Sequence, residues 1–337
     1  MQIVILAGGV GGSRFVSGAR SAYPEADISV IVNTADDITL HGLRICPDLD
    51  TMMYTLGGGI DSERGWGRTE ETWRVKDELA AYGVEPSWFG LGDLDLATHL
   101  VRTQMLDAGY PLSAVTAALC TRWLREQPQL RLLPMSDDRV ETHIVIDDGS
   151  GRRAIHFQEY WVRLHAVPDA LDMVRVGIDQ ATAAPGVLRA LADADLILVG
   201  PSNPVVSIGP ILAVPGIRAA LQSAQAPVVG FSGILGGAPV LGMAHRLLPV
   251  IGVEVDAAAV GLHYGARPAG GLLDAWLVDS GDAAAARTAT AAGLPTRAVD
   301  LVMHDPATTA RFIRSGVDFG LSVRAQRMQL GQVRDAS

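Results

Sequence analysis

The sequence predicts an α/β fold with a Rossmann-like, mostly parallel sheet, a helical insertion and a few added antiparallel strands. Three observations indicate this class. An apolar run at 2–7 ends in a glycine cluster, and a helical stretch and a second apolar run at 28–33 follow it. Residues 66–125 show helical spacing only, whereas strand-like and helical segments alternate again from residue 188. Buried strands separated by helices are typical of parallel sheets with right-handed connections.

The remaining elements follow from hydrophobic spacing along the chain. Helices are predicted within the insertion at 70–82, 94–108 and 112–124, and beyond it at 214–222, 256–264, 282–292 and 306–315. Strands are predicted at 130–134, 142–146, 154–161, 196–200, 227–231, 273–279 and 298–303. A loop rich in Pro, Ser and Asn is predicted at 200–210. We therefore expect a core formed by 1–65 and 126–320, an insertion at 66–125 and a loosely ordered tail at 321–337.

Composition restricts the classes of function. The chain has 337 residues, of which 48% are hydrophobic, so we expect one large domain with an insertion or two closely joined lobes. Its net charge of -10 argues against general binding to nucleic acid or to an anionic membrane. Cys46 and Cys120 are too few for a disulfide framework. With no apolar stretch of about 18 residues, the sequence predicts a cytoplasmic protein.

The glycine cluster is a candidate phosphate-binding turn. Gly8, Gly9, Gly11 and Gly12 follow the first predicted strand and precede a helix. Residues without a Cβ let backbone N–H groups close on a phosphate at a helix N-terminus. The cluster is neither a Walker A motif nor a clean dinucleotide fingerprint. A simple tight turn is the alternative interpretation.

Four carboxylates form a candidate metal and catalytic group. Asp36, Asp37, Asp48 and Asp50 lie within fifteen residues, just after the second predicted strand. Carboxylate oxygens suit Mg²⁺, which is commonly held by one or two carboxylates together with substrate phosphates and water. A carboxylate left free could accept the proton of an attacking hydroxyl. The alternative for each aspartate is helix capping or solvent exposure.

Two further segments carry polar side chains in suggestive positions. If Asp95 begins a helix, His99 and Arg102 share its face, which predicts a stripe facing a ligand. The alternative is an Asp cap with a partly buried histidine. Ser202 and the neighbouring loop residues follow a buried strand and offer donors to a phosphate or a base edge, or they form a plain structural loop.

These motifs together resemble one family of enzymes. The matching stretches are Gly8–Gly12, Val32–Asp37, Cys46–Thr51, Trp66–Gly67, Leu91–His99, Pro134–Asp138, Ile155–Gln158 and Gly200–Pro210. In their order and in their residues, these stretches look like those of the transferases that build the phosphodiester of coenzyme F420. The likeness covers residues 1 to 320 and is strongest to the actinobacterial branch, which resembles phosphoenolpyruvate transferases more than 2-phospho-L-lactate transferases.

The resemblance implies a Mg²⁺-dependent reaction between two small molecules. A phosphoenolpyruvyl or 2-phospho-L-lactyl group would pass from its GDP-activated donor to the ribityl hydroxyl of the deazaflavin Fo. The products would be GMP and dehydro-F420-0 or F420-0. The resemblance also implies a homodimer. On this basis we expect Asp50→Asn to abolish turnover while leaving the fold intact.

Site roles follow from the same resemblance. The catalytic residues would be Asp36, Asp37 and Asp50, and the metal ligands would be Asp36, Asp37, Asp48 and Asp50. The nucleotide would be bound by Gly8, Gly9, Gly11, Gly12, Ser202, Asn203 and Ser207. The acceptor Fo would be bound by Thr51, Gly57, Gly58, Asp93, Asp95 and His99.

Two rival functions share parts of this pattern. A Rossmann-type oxidoreductase would show the same opening strand, helix and strand, but it would carry a nicotinamide or flavin. A regulatory UDP-sugar-binding protein of the related gluconeogenesis-factor family would share the glycine-rich start without turnover. The string Cys46–Thr51 and the tryptophan-rich insertion count against both.

Overall fold

The structure is a computed structural model that describes residues 1–335, with the side chains of residue 328 and of 330–335 left out of the description. Its strands are β1 (Gln2–Ala7), β2 (Asp27–Val32), β3 (Ile38–Leu40), β4 (Leu43–Ile45), β5 (Leu130–Pro134), β6 (Glu141–Asp147), β7 (Arg152–His156), β8 (Ala170–Val176), β9 (Leu196–Val199), β10 (Val228–Phe231), β11 (Ile234–Leu235), β12 (Ala238–Pro239), β13 (Ala275–Asp279) and β14 (Thr296–Val299).

The α-helices surround and connect these strands. They are α1 (Gly9–Ala22), α2 (Pro47–Leu56), α3 (Arg74–Ala81), α4 (Asp93–Asp107), α5 (Leu112–Trp123), α6 (Val187–Asp193), α7 (Gly209–Ala213), α8 (Ile217–Ser223), α9 (Ala244–Leu247), α10 (Ala257–Tyr264), α11 (Ala283–Ala291) and α12 (Pro306–Asp335). Two π-helical turns lie at Glu159–Arg163 and Pro204–Ile208.

Seven strands form one parallel sheet in the order β5-β2-β1-β9-β10-β13-β14. Strands β2 and β5 are added on one side of β1. The chain then crosses back, and β9, β10, β13 and β14 are added on the other side of β1. In such a sheet, ligands bind at the carboxyl ends of the strands beside this point of reversal. The predicted α/β class with a mostly parallel sheet is confirmed.

The alternation along β1 shows how the two faces of the sheet are covered. Ile3 and Ile5 face the side of α1 and α12, where they share a core with Phe15. Val4 and Leu6 point to the other side and share a core with α6, α8 and the small sheet β7-β6-β8. Successive side chains on a strand point to opposite faces, so an uninterrupted apolar run predicts a strand that is buried on both sides.

Helix α12 is longer than the sequence predicted. The prediction ended the helix at Ser315 and expected a loosely ordered tail after Phe319, but the described residues continue as helix to Asp335, and residues 336–337 lie outside the description. A Cβ at Gly316 would lie 2.9 Å from the Phe231 ring, and one at Gly320 would lie 2.5 Å from Val229. Because glycine has no side chain, helix α12 can approach the sheet closely at these two positions, and its contact with the sheet continues beyond Ser315.

The three helices predicted in the insertion are present as α3, α4 and α5. Helix α5 packs against β5 and α2, so this segment covers the edge of the sheet, whereas α3 buries none of its residues. Hairpin β3–β4 and strand β8 were not predicted. Two- and three-residue elements such as β3 carry too little periodicity to be recognised from sequence.

Three predicted elements were wrong in part. The strand expected at 298–303 is instead β14 at Thr296–Val299, and residues 300–303 are not in a strand. The strand expected at 154–161 ends at His156, and the π-helical turn follows because the Tyr160 side chain turns inward and donates a hydrogen bond to Pro168 O at 3.0 Å. The loop expected at 200–210 becomes helical from Pro204, because the Asn203 side chain accepts from Val205 N and Val206 N and caps the turn.

Membrane-spanning potential is confined to one pair of short helices. No single helix within residues 1–335 has the length and apolar character to cross a membrane. The pair Pro204–Ala213 and Ile217–Ser223, bent by 84°, meets the requirement by length and composition.

Candidate active site

Three segments meet at the carboxyl edge of the sheet, beside the point where the strand order reverses. Gly8 follows β1, Asn33 follows β2, and Ser202 follows β9. Gly8 N donates a hydrogen bond to Ser202 Oγ at 3.0 Å, and Ser202 Oγ donates to Gly8 O at 2.9 Å. This reciprocal pair joins the ends of β1 and β9, and it places the predicted glycine cluster next to the predicted serine loop.

Close packing explains two of the four predicted glycines. A Cβ at Gly8 would lie 2.4 Å from Asp48 Oδ2, and a Cβ at Gly12 would lie 2.6 Å from Ser202 Oγ. At Gly11 the nearest atom outside the helix would be Pro201 O at 3.5 Å, an ordinary contact. Gly9 has a φ of +63°, a conformation that favours glycine. Helix α1 already begins at Gly9, so the cluster supplies its first turn, whose N–H groups have no acceptor within the helix and attract anions. The Asp48 carboxylate lies against Gly9 N at this helix end.

Two of the four predicted metal ligands are neighbours in space. Asn33 Nδ2 donates to Asp36 Oδ2 at 3.1 Å and to Asp48 Oδ2 at 2.9 Å, so one amide group bridges the two carboxylates. Asp37 lies beside them and accepts from Arg44 Nη2 at 3.1 Å. Asp36, Asp37 and Asp48 are all buried. We refer to these three residues as the carboxylate cluster.

Burial of so much negative charge shifts the acidity of the cluster. Burial raises the pKa of Asp37 to about 6, although the Arg44 cation opposes the shift. It raises the pKa of Asp48 to about 7, opposed by the hydrogen bond from Asn33. The pKa of Asp36 is raised by burial and then by its neighbours Asp48 and Asp37. A bound cation would relieve all three effects.

The cluster has free acceptor atoms for such a cation. Asp36 Oδ1 and Asp37 Oδ1 are buried and have no hydrogen-bond partner among the residues that the structure describes. No three His, Cys, Asp or Glu side chains within residues 1–335 converge as a ready-made metal site. Mg²⁺ usually takes only one or two carboxylates and completes its shell with phosphates and water. The chemistry of the cluster therefore fits a hard cation that arrives with a phosphorylated substrate.

Asp50, the fourth predicted ligand, lies in a separate buried network. Arg102 Nη1 donates to Asp50 Oδ2 at 3.1 Å, and Arg102 Nη2 donates to Asp50 Oδ1. Arg102 Nη1 also lies 3.1 Å from His99 Nδ1, which must accept, so the histidine proton is on Nε2, 3.2 Å from Asp95 Oδ2. Tyr54 closes the chain by donating its hydroxyl to Asp95 at 2.5 Å. Both Asp50 oxygens thus have protein partners.

The residues predicted to bind Fo have different surroundings in the structure. A Cβ at Gly57 or Gly59 would meet Trp123 within 3 Å, so the chain's own indole fills the space against these glycines. Gly58 is exposed. His99 is fully buried. Asp93 accepts from Thr72 Oγ1 at 2.6 Å and Val75 N at 3.0 Å, which makes it a cap for α3.

Several residues of the site were missed by sequence reasoning. Asn33, Arg44, His156 and Gln158 all contact the carboxylate cluster or its backbone. For Asn33 a signal existed, because a polar residue directly after a buried strand lies at the carboxyl edge of a parallel sheet. Arg44 reaches Asp37 across the hairpin β3–β4, which was not predicted. The contacts of His156 and Gln158 join segments more than one hundred residues apart, which a single sequence does not show.

Comparison with known proteins relates the chain to characterised sequences. A family model described as 2-phospho-L-lactate transferase CofD matches residues 3–314. A protein of Streptomyces griseus named phosphoenolpyruvate transferase is 61% identical over 325 residues, covering 96% of this chain and 100% of its own length. One with the same name from Mycolicibacterium smegmatis is 56% identical over 329 residues, covering 94% of this chain and 98% of its own length.

A solved structure supports the fold independently. The crystal structure of a UPF0052 family protein from Bacillus halodurans matches with a TM-score of 0.59 at 18% identity, covering 92% of this chain and 97% of the other. The family match spans almost the whole chain, and it includes every segment that meets at the carboxyl edge of the sheet. The chain therefore belongs to the 2-phospho-L-lactate transferase CofD family and is a transferase of the phosphoenolpyruvate and 2-phospho-L-lactate type.

Proposed function

We propose that this protein transfers a phosphoenolpyruvyl group, or a 2-phospho-L-lactyl group, from a GDP-activated donor to the ribityl hydroxyl of the deazaflavin Fo. GMP leaves, and the product is dehydro-F420-0 or F420-0. The names of the relatives favour the phosphoenolpyruvyl donor. One observation carries the proposal: a glycine-rich helix start and a buried carboxylate cluster with free oxygens lie together at the edge of the sheet where ligands bind.

The donor nucleotide fits the side of the site formed after β1 and β9. The N–H groups in the first turn of α1 have no acceptor within the helix, the one at Gly9 faces the Asp48 carboxylate, and the helix dipole favours negative charge there. Ser202 and Ser207 are both buried beside Gly8, since a Cβ on Gly8 would lie 3.1 Å from Ser207 Oγ. We assign the diphosphate to this turn. Asn203 is engaged as a helix cap through its carbonyl oxygen, so only its amide nitrogen is assigned to the nucleotide.

We assign Mg²⁺ to Asp36 and Asp48, which are adjacent and share Asn33. When bound, the cation neutralises charge on the phosphate oxygens during transfer. Asn33 holds one oxygen of each carboxylate and so fixes the spacing between them. The Asp50 carboxylate is occupied by Arg102, so we assign it to positioning of α2 rather than to metal binding or proton transfer.

Asp37 is our candidate for the group that accepts the proton of the attacking hydroxyl. Its pKa of about 6 is close to neutral, which suits a general base, and Arg44 orients its Oδ2 while Oδ1 stays free. The hydroxyl of Fo then attacks the phosphorus in line with departing GMP. Charge neutralisation and positioning supply most of the catalysis in transfers of this kind.

For the acceptor we retain Thr51 and Asp95 from the predicted Fo-binding residues. Thr51 lies three positions after Asp48 on α2, so the two side chains share a helix face. Asp95 is half-buried at the start of α4 and is held by Tyr54. We also propose a homodimer, which the family resemblance implies and which light scattering after gel filtration would measure.

The direct test incubates the purified protein with Fo, Mg²⁺ and each activated donor, and separates the products by mass. We expect dehydro-F420-0 or F420-0 together with GMP. Asp37→Asn should lower kcat by roughly 100-fold or more, because general-base catalysis contributes about 10²- to 10⁴-fold. Asp27→Asn is the matched control, since Asp27 begins β2 at the opposite edge of the sheet. A wild-type protein that releases neither product with either donor would contradict the proposal.

A further inference from the structure

The backbone that carries the carboxylate cluster is held by two side chains that the proposed chemistry does not use. Gln158 Nε2 donates to Asp36 O at 3.1 Å, and His156 Nε2 lies 3.2 Å from Asp37 O. The two acceptors are consecutive carbonyl groups of the segment between β2 and β3. His156 is the last residue of β7 in the small antiparallel sheet, and Gln158 lies in the helical turn that follows it.

The two donors are linked to each other. Gln158 N donates to His156 Nδ1 at 3.1 Å, so Nδ1 carries a lone pair and the proton of this imidazole is on Nε2. Nε2 can therefore only donate, and its partner is Asp37 O. The protonation state of His156 and the orientation of its ring are thus set by the backbone of Gln158.

A third bond extends the pattern to the preceding residue. Thr142 N, on the neighbouring strand β6, donates to Ala35 O at 2.7 Å. Three successive carbonyls, at residues 35, 36 and 37, therefore accept hydrogen bonds from the small sheet or from the turn directly after β7. Within the segment itself, the bond from Asp37 N to Thr34 O is long, at 3.4 Å. Hydrogen bonds from outside the segment between β2 and β3 therefore contribute much of its orientation.

The local backbone around Phe157 places the two donors. Phe157, which stands between them, is buried in the core below the small sheet. Strand β7 ends at His156 and a helical turn begins at Phe157, where Gln158 has φ −65° and ψ −35°, so the chain bends between the two donors and both reach the segment opposite. Gln158 is itself buried, so its amide is protected from competition with water.

We propose that His156 and Gln158 are positioning residues for the transfer reaction, which hold the backbone carbonyls of Asp36 and Asp37 and thereby orient the Asp36 carboxylate for cation binding and the Asp37 carboxylate for proton transfer. The inference rests on the proposed function, because it assigns those carboxylates to the reaction. A fixed peptide plane determines where the next side chain points, and a misplacement of 1 Å can lower a rate by about 100-fold.

The test removes each donor while keeping the size of the side chain. Gln158→Met keeps the length of glutamine but donates no hydrogen bond, and His156→Phe removes Nε2. His156→Gln is the conservative variant, because a glutamine amide can reach the position of Nε2. Gln222→Met is the matched control: Gln222 also donates its amide to a backbone carbonyl, Gly270 O at 2.6 Å, on an exposed surface.

Two measurements are made on every variant. Transfer to Fo gives kcat and the KM for the donor, and hydrogen exchange followed by mass spectrometry reports the amides of peptides covering 33–46. We expect Gln158→Met and His156→Phe to lower kcat by roughly 10- to 100-fold with KM changed less than about threefold, since the lost bonds orient catalytic groups. Exchange in 33–46 should accelerate, and His156→Gln should restore both readouts.

Several outcomes would overturn the inference. One is a Gln158→Met variant that matches Gln222→Met in kcat and in exchange. Another is faster exchange with unchanged kcat, which would make the bonds purely structural. If His156→Phe fails to fold, Gln158→Met still decides. If the wild-type protein shows no transfer to Fo, the proposed function fails. Unchanged exchange in Gln158→Met would instead show that the bond from Gln158 to Asp36 O does not hold the segment.

Discussion

Replacing Arg102 by methionine should destabilise the protein strongly. Arg102 and Asp50 are both buried, and the guanidinium contacts both Asp50 oxygens. Removing the arginine leaves a buried carboxylate with only His99 Nδ1 nearby, at 3.7 Å. Breaking a buried ion pair on one side costs about 3–5 kcal/mol, because the remaining charge loses its partner but stays out of water.

This free energy converts into a measurable shift. A chain of this length unfolds with an entropy of roughly 0.7 kcal/mol per kelvin, so the loss corresponds to a fall in Tm of about 4–7 °C. Scanning calorimetry measures Tm, and urea unfolding followed by tryptophan fluorescence measures the free energy of unfolding. The double variant Asp50→Asn, Arg102→Met removes both charges, so it should lose less stability than Arg102→Met alone.

A surface ion pair provides the control. Arg189 and Asp193 are 3.2 Å apart on one helix, with side chains that are 87% and 62% exposed. Pairs of this kind contribute about 0.3–0.5 kcal/mol, so Arg189→Met should change Tm by less than about 1 °C. If Arg102→Met behaved like Arg189→Met, the buried network around Asp50 would not exist as described. Asp50→Asn should also lower stability, contrary to the expectation from sequence that it leaves the fold intact.

Three further predictions concern the glycine cluster and the carboxylate cluster. Gly12→Ala should lower Tm, because its Cβ would lie 2.6 Å from Ser202 Oγ, whereas Gly11→Ala has room and should leave Tm unchanged or raise it; calorimetry of the two variants decides. The pKa of Asp48 is raised to about 7 in the folded state, so between about pH 4 and pH 7 the folded protein binds a proton that the unfolded chain has lost. In EDTA, the free energy of unfolding should therefore fall as pH rises through this range, by at most about 1.4 kcal/mol per pH unit from Asp48. Urea midpoints between pH 5 and 8 should show a flatter profile for Asp48→Asn, and an identical profile would contradict the assignment. Mg²⁺ with GDP at about 100 times the Kd should stabilise the wild type by about 2.7 kcal/mol, and Asp36→Asn should lose most of that gain.

Much of the fold could be predicted because its signals are local. Strands β1 and β9 are almost entirely apolar, and β2 is apolar from Ile28 to Val32 except at Ser29; a strand buried on both faces needs such a run whatever it pairs with. The glycine cluster also has a local meaning, since a helix start without Cβ atoms suits an anion. These local features are sufficient to place the turn after β1 and the aspartates after β2 at the same edge of a parallel sheet.

No local feature of the sequence distinguishes the roles of the four aspartates. Asp48 and Asp50 are two residues apart on one helix, yet the first faces Asn33 and Gly8 while the second faces Arg102 on α4. Residues two apart on a helix point in different directions, but which direction meets the site depends on how α2 packs. The same holds for Gly57, which was expected to bind Fo and instead lies against Trp123.

By itself, the sequence determined the class of the sheet, the segments that reach its carboxyl edge and the family to which the chain belongs, because periodicity and motif order are properties of the chain alone. Only the tertiary structure decided which oxygens remain free. Asp36 Oδ1 and Asp37 Oδ1 lack partners among the described residues, whereas Asp50 is paired with a residue fifty-two positions away. Such pairings arise from the packing of distant segments, and packing sets the burial and charge that give each carboxylate its chemistry.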